Sequence, residues 1–556
     1  MRNERESGKG RIEHKVGIIS LDGATWDVLL PWIREGHLPH LAKLLDEGVW
    51  GTLRSTIPPV TAPAWASFQL GKSPGKHGLF HFTHYQPGSY DMVTINATHI
   101  PTPTLWQLVS QAGRRVCIIN VPVTYPPQPI NGYVVSGMLS PRPEVAFWPP
   151  ELWEEVKREI GDYQILGMIR RFDYLGIKGF VPMMMEIAKK RAQLAHFLLA
   201  KEDWDLFMIH FQDTDTLQHA AWAWIDPAHP DFASKPAKER ELVLDFYRLI
   251  DTFIGELVDA LGAHRDVIVM SDHGFGPVLR RVYINQWLQN EGYLTSHHQS
   301  SWKGRLIDWA ETVVRRVDVL KLRRRLIKPR SRMEDFVERL TSTELIIWPK
   351  TRAYAPAGPF YGRIYLNTVG REPMGTVARG PAWDALREEI RDKLLKWVDP
   401  ETGQQVIRQV WLREELYHGP RAELLPDLVV VPADGYQIAT NFRHGILVED
   451  MPRFLTGTHR LDGIVALKGP AFAPRQEPIQ ARIEDLAPTI LYLLGLSIPD
   501  DMDGEVLVDA LDPGLLAQRP IERIAADAIA AAGDEVFSEE DLKEITTRLT
   551  DLGYLQ

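Results

Sequence analysis

Three short apolar runs, each ending at a carboxylate or imidazole group, constrain this chain more than any other feature. Val16-Gly-Ile-Ile-Ser-Leu stops at Asp22. Leu206-Phe-Met-Ile-His-Phe is followed by Asp213-Thr-Asp215, with His219 four residues beyond. Val267-Ile-Val-Met stops at Ser271-Asp272-His273. Runs of this length, bounded by turn residues, read as strands buried on both faces, the condition of strands inside a parallel sheet. In open α/β sheets, ligands bind in the crevice at the carboxyl ends of the strands. The runs therefore deliver their acids and imidazoles to one edge of one sheet, which predicts a metal site.

The residue types set the chemistry. Aspartate oxygen and histidine nitrogen without cysteine suit zinc, manganese or another divalent ion of borderline hardness. Asp22, Asp215, Asp272, His219, His273 and one further histidine exceed the shell of one tetrahedral ion and suit two. Two ions about 4 Å apart clamp the attacking and leaving oxygens of an in-line displacement at phosphorus. A threonine hydroxyl is a poor nucleophile at neutral pH until a base or a metal activates it. Thr61, in Thr61-Ala-Pro-Ala-Trp-Ala-Ser-Phe-Gln-Leu-Gly-Lys-Ser-Pro-Gly-Lys-His77-Gly78, is the hydroxyl that such a pair would activate.

These residues resemble the alkaline phosphatase superfamily and, within it, the type I phosphodiesterase/nucleotide pyrophosphatase family. The matching segments run from Val16 to His77, from Asp205 to Gly276 and from Gly457 to about Leu507. Thr-x-Pro followed by Gly-x-x-Pro-x-x-His-Gly is a specific pattern, as is Ser-Asp-His-Gly, whereas Asp-x-x-x-His alone is weak. Glu484-Asp-Leu-Ala-Pro-Thr-Ile-Leu-Tyr-Leu-Leu-Gly-Leu is similar to the superfamily's terminal helix, and Met502-Asp-Gly to the loop after it. The resemblance implies an α/β three-layer sandwich with a central, mostly parallel sheet. It implies one ion at Asp22, Thr61, Asp272 and His273, and a second at Asp215, His219 and His459, with zinc first and manganese or magnesium as alternatives. Thr61 would attack phosphorus, and water would then hydrolyse the phospho-threonine. One position departs: where nucleotide-processing members carry a phosphate-binding asparagine, this chain has Phe82, with His81, Thr83 and Asn96 as nearby replacements.

Each assignment has a plainer competitor. An aspartate after a strand often only caps the next helix, although three such caps in one pattern are a poorer account than a metal site. Asp213 is the spare carboxylate, read as a capping or supporting group. His444, in Asn-Phe-Arg-His444-Gly, competes with His459. His77 reads as a structural turn residue and Lys76 as a solvated loop lysine within reach of anionic substrate.

Composition fits a globular enzyme. A chain of 556 residues with 44% hydrophobic content can bury a large core. Its 63 basic against 73 acidic residues give −10, which argues against a general nucleic-acid binder. Cys117 is the only cysteine, so no internal disulfide can form. The first fifteen residues are charged, and no run reaches the roughly 20 apolar residues of a membrane span, so the expectation is a cytoplasmic protein.

The expected organisation begins with a disordered arm at 1–14. The first part of the catalytic core covers 15–297 and holds a mostly helical insert at 141–201. A basic helical cap at 298–343 is inserted next, the second part of the core covers 344–510, and a helical tail covers 511–556. The cap's cluster between Arg315 and Arg332 reads as a solvated face or as a platform for anionic surfaces. The tail reads as an amphipathic helix that docks on its own chain or on a second copy, giving a homodimer. The functional expectation is a metal-dependent phosphodiesterase with a small phosphoester substrate and no specific nucleic acid. A phosphomonoesterase or phosphotransferase is the alternative among enzymes, and a metal-binding scaffold with a relic site the alternative of another class.

Overall fold

Alternate side chains of the predicted strands go to two different cores, and this alternation fixes the layers. In a computed structural model the protein is described at residues 14–167, 171–297, 345–443, 445–452, 455–526, 536–551 and 554. The expectations for residues 1–13, for the basic segment 298–343 and for His444 lie outside the described residues. Strand β1 (Val16–Leu21) is buried throughout. Ile19 and Leu21 face one core with Cys117, Ile119, Phe207, Ile209, Phe211 and Val269. Val16 and Ile18 face the other with Val116, Ile118, Leu206, Met208 and Ile268. A period of two on a sheet covered on both faces leaves no polar side, as expected of parallel strands.

The central sheet continues with β2 (Val49–Arg54), β3 (Val116–Ile119), β4 (Gly132–Val135), β5 (Phe147–Trp148), β6 (Leu206–Phe211) and β7 (Asp266–Met270). Strand β8 (Gly274–Tyr283) turns out of it and pairs with β9 (Gly457–Arg460), after which β10 (Asp462–Lys468) and β11 (Ile479–Arg482) complete the set. The nine-stranded order is β11-β2-β10-β7-β1-β6-β3-β4-β5. β1 lies parallel between β6 and β7, with Leu21 opposite Phe211 and Ser20 opposite Met270. Only β10 and the edge strand β5 run antiparallel to their neighbours. The common register ends the three predicted strands at one level.

Helices cover both faces. The leucine stripe before Gly48 forms α1 (Pro39–Glu47), burying Leu41, Leu44 and Leu45. Helix α2 (Thr61–Leu70) is buried at every position, as a helix enclosed on all sides must be, and ends at Gly71 with φ 62°. α3 (Arg171–Leu199), α4 (Asp213–Ile225) and α5 (Ala237–Leu261) pack together on one face, and α6 (Leu486–Leu493) lies on the other. The 141–201 segment also supplies β5 to the sheet edge, so it is not purely helical. The apolar stretch Leu428–Pro432 is a strand, but in a separate sheet with 353–354, 362–366 and 407–412 over a third core. Helix α7 (Glu539–Asp551) docks on the first core through Ile545 and Leu549. Among the described residues no helix is long and apolar enough to cross a membrane.

Candidate metal centre

The shared register puts Asp22 directly after β1, its backbone N–H donating to Phe211 O at 3.0 Å. Asp215 and His219 lie one turn apart on α4, so both face the same way. Asp272 and His273 follow β7. Gly274 is needed next because a Cβ there would lie 2.0 Å from Asp462 O. His459 arrives on β9, opposite Phe275. Thr61 is the first residue of α2 and presents its hydroxyl at the helix N-terminus, where anionic groups are favoured.

The structure brings all of these side chains together. His273 Nε2 lies 3.3 Å from Asp22 Oδ1, 3.4 Å from Asp272 Oδ2 and 3.5 Å from Thr61 Oγ1. Asp215 Oδ1 lies 3.2 Å from His459 Nε2 and 3.4 Å from His219 Nε2. Among the described residues, two clusters have the spacing for an ion, Asp22-Asp272-His273 and Asp215-His273-His459. His273 therefore stands between them, its ring stacked on His459 at 3.7 Å. His219 joins the second group through His459, their Nε2 atoms 3.0 Å apart.

The hydrogen bonds show what the centre lacks. His219, His273 and His459 each place Nδ1 against a backbone carbonyl, of Gly457, Gly274 and Pro59 at 3.0, 3.1 and 2.9 Å. A carbonyl only accepts, so each Nδ1 carries the proton and each Nε2 turns a lone pair inward. Burial holds His273 down to about 4; burial, with His273 beside it, holds His459 down to about 3. Both rings are thus neutral. Asp22 Oδ1 and Oδ2, Asp215 Oδ1 and Asp272 Oδ2 are buried without a hydrogen-bond partner. Apart from the Thr61 and Tyr554 hydroxyls, acceptors therefore meet acceptors among these groups, and each one left unsatisfied costs about 1–3 kcal/mol. Divalent cations satisfy this donor set. The carboxylates show the same deficit: burial and then the charges of Asp272 and Asp215 raise Asp22 well above the usual range, and burial pushes Asp272 up to about 7. Asp215 is the exception. Its Oδ2, unlike Oδ1, has a donor, the Tyr554 hydroxyl at 3.0 Å.

The remaining candidates sit around this centre. Asp213 pairs with the fully buried Arg191 at 2.9 Å. His77 bridges Ser67 Oγ and the Leu79 N–H, and Lys76 is engaged by Asp503 at 2.6 Å. Phe82 is buried among aromatic rings. Of its neighbours, Thr83 accepts from Arg363 and Asn96 caps the turn at 97–99, while both ring nitrogens of buried His81 have no partner. Three contributors escaped the sequence reading. His210, inside β6, places Nε2 3.2 Å from Asp22 Oδ2 and Nδ1 2.9 Å from Ser20 Oγ. Phe360, at a positive φ of 77° that a bulky side chain rarely takes, stacks on His459 at 4.3 Å. Tyr554 places its hydroxyl 3.0 Å from Asp215 Oδ2 and 3.2 Å from Thr61 Oγ1. A histidine within an apolar run is the one signal that was available for His210.

Residues 16–462 match the family described as type I phosphodiesterase / nucleotide pyrophosphatase. Among solved structures, the chain is similar to phosphonoacetate hydrolase from Sinorhizobium meliloti in complex with phosphonoformate. The two are 16% identical over 87% of this chain and 95% of that one, with a TM-score of 0.52. It is similar to human ectonucleotide pyrophosphatase/phosphodiesterase 5 at 15% identity, over 90% of this chain and 100% of that one, with a TM-score of 0.51. The murine counterpart, solved as an inactive threonine-to-alanine variant with AMP, matches at the same identity, coverage and TM-score. No curated protein sequence matches the chain. At these identities the structural likeness concerns the fold, a large mostly parallel sheet with helices on both sides.

Proposed function

Because the chain belongs to the type I phosphodiesterase/nucleotide pyrophosphatase family, a family of phosphoester hydrolases, we propose that it cleaves phosphodiesters with Thr61 as nucleophile at a centre for two divalent ions, zinc first. The observation that carries this reading is the pair of Nε2 atoms of His219 and His459, 3.0 Å apart with both Nδ1 protons committed to carbonyls. Two lone pairs facing each other at that distance need a cation beside them. Asp22, Asp272 and His273 would hold one ion beside Thr61, and Asp215, His219 and His459 the other. Bound there, the ions would supply Lewis acidity, lowering the pKa of the hydroxyl and neutralising charge on the phosphoryl oxygens.

The chain's own groups do the rest. Helix α2 fixes Thr61 so that Oγ1 reaches phosphorus along one approach, and its N-terminus favours the negative charge that builds there. Oγ1 forms a bond to phosphorus as the bond to the leaving oxygen breaks, and the hydroxyl proton passes to solvent or to the departing group. Water then attacks the phospho-threonine, the P–Oγ bond breaks, and Thr61 takes back a proton. The inactive threonine-to-alanine form of the murine relative supports a threonine in this role. A screen of diesters, monoesters and sulfate esters tests the proposal on protein loaded separately with zinc, manganese and magnesium. Diester turnover that Thr61→Ala abolishes is expected; turnover that survives this change points to direct attack by water.

A further inference from the structure

Resting on the reading of Thr61 as nucleophile, we propose that Tyr554, which follows helix α7, is a built-in plug that must withdraw from the site before substrate can enter. Tyr554 is fully buried in the centre of the site, whereas helix α7, which ends at Asp551, exposes most of its described side chains. Its hydroxyl donates to Asp215 Oδ2 at 3.0 Å and shares a hydrogen bond with Thr61 Oγ1 at 3.2 Å. Its ring fits among Phe82, Phe360, His459 and His219, with centroids at 4.6, 5.6, 5.8 and 6.1 Å. Thr61, Asp22, Asp215, Asp272 and His273 are all at 0% exposure, so no phosphorus can approach Oγ1 in this state. The tyrosine oxygen takes the hydrogen-bonding position that a phosphoryl oxygen would need beside Oγ1. The two are mutually exclusive occupants.

The way the segment is held suits release. Of the described side chains of α7, only Ile545 and Leu549 are buried. The other anchors are peripheral: Arg548 donates to Ser140 O and Pro141 O at 2.6 and 2.9 Å, Arg142 approaches Asp541 at 3.6 Å, and Phe537 stacks on Tyr125 at 5.6 Å. Elements with few buried apolar contacts open at low free energy, independently of the core. A ligand's apparent affinity falls by the fraction of molecules in the competent state, so a docked Tyr554 lowers the apparent affinity for substrate without touching the chemistry.

Two full-length variants test this. Tyr554→Ala removes the plug, and Leu549→Asp undocks the helix while leaving every site residue in place. Both are expected to raise kcat/KM for a small diester by roughly three- to tenfold, the population shift that about one net hydrogen bond supports. Zinc with orthovanadate is expected to raise hydrogen exchange across 545–551 in the unmodified protein. The proposal is overturned if Tyr554→Ala keeps its metal but loses turnover, which would make the tyrosine a working group of the site. It is equally overturned if vanadate binds and the helix stays protected. Failure of the reading of Thr61 as nucleophile shows elsewhere, in Thr61→Ala turning over like the unmodified protein.

Discussion

Replacing Asp272 with asparagine is expected to stabilise the metal-stripped protein while abolishing much of its response to divalent ions. Burial pushes the Asp272 carboxyl from 3.8 up to about 7. At about 1.36 kcal/mol for each pKa unit, a rise of about three units makes the ionised form cost roughly 4 kcal/mol in the folded state. The sign follows from proton binding. Between about pH 4 and pH 7 the folded chain holds a proton that the unfolded chain has lost, so the stability of the stripped protein falls as pH rises through that window. Asparagine keeps the oxygen that accepts from the Gly23 N–H at 3.3 Å and never ionises. Urea unfolding after chelation is therefore expected to show no difference near pH 4 and a variant more stable by roughly 4 kcal/mol near pH 8. With zinc present the order is expected to reverse, because the neutral amide is a weaker ligand. A difference that does not change with pH, or a stripped parent more stable than the variant near pH 8, refutes the argument from buried charge.

Elemental analysis of active protein is expected to find two divalent ions per chain, and full turnover with one ion would refute the two-ion centre. Thr61→Ala is expected to keep its fold and metal and to lose at least roughly two to three orders of magnitude in rate, whereas Thr61→Ser retains measurable activity. A chiral phosphorothioate diester is expected to react with net retention at phosphorus; inversion would remove Thr61 from the reaction path. Arg191→Met strands the buried Asp213 carboxylate and is expected to cost about 3–5 kcal/mol in chemical unfolding. An unchanged midpoint would show that water reaches Asp213.

Most of the site could be read before any fold was in hand because Asp22, Asp215, Asp272 and His273 follow short buried strands, where local pattern and position in space coincide. The parallel order of β6, β1 and β7 was legible for the same reason. His459 came only through resemblance, since β9 belongs to no apolar run and reaches the site by pairing with β8. Tyr554 meets Thr61 across 493 positions of sequence, beyond the range of any periodicity. Phe360 was hidden differently: its place depends on a backbone angle that its residue type argues against. The strand at Leu428–Pro432 was visible, but which sheet it joins is decided by partners rather than by composition.

The ladder that aligns Leu21 with Phe211 and Ser20 with Met270 limits how a lineage can change this protein. Loss or gain of one residue in β1 would move Asp22 by about 3.3 Å and exchange the two cores that its side chains fill. Such a change is lost at once, since it damages packing and metal binding together. Substrate range is therefore free to drift in the segments that come to the centre without sharing its register, those carrying Phe82, Phe360 and Tyr554. New specificities in proteins of this plan should arise by exchange or lengthening of those segments over an inherited floor.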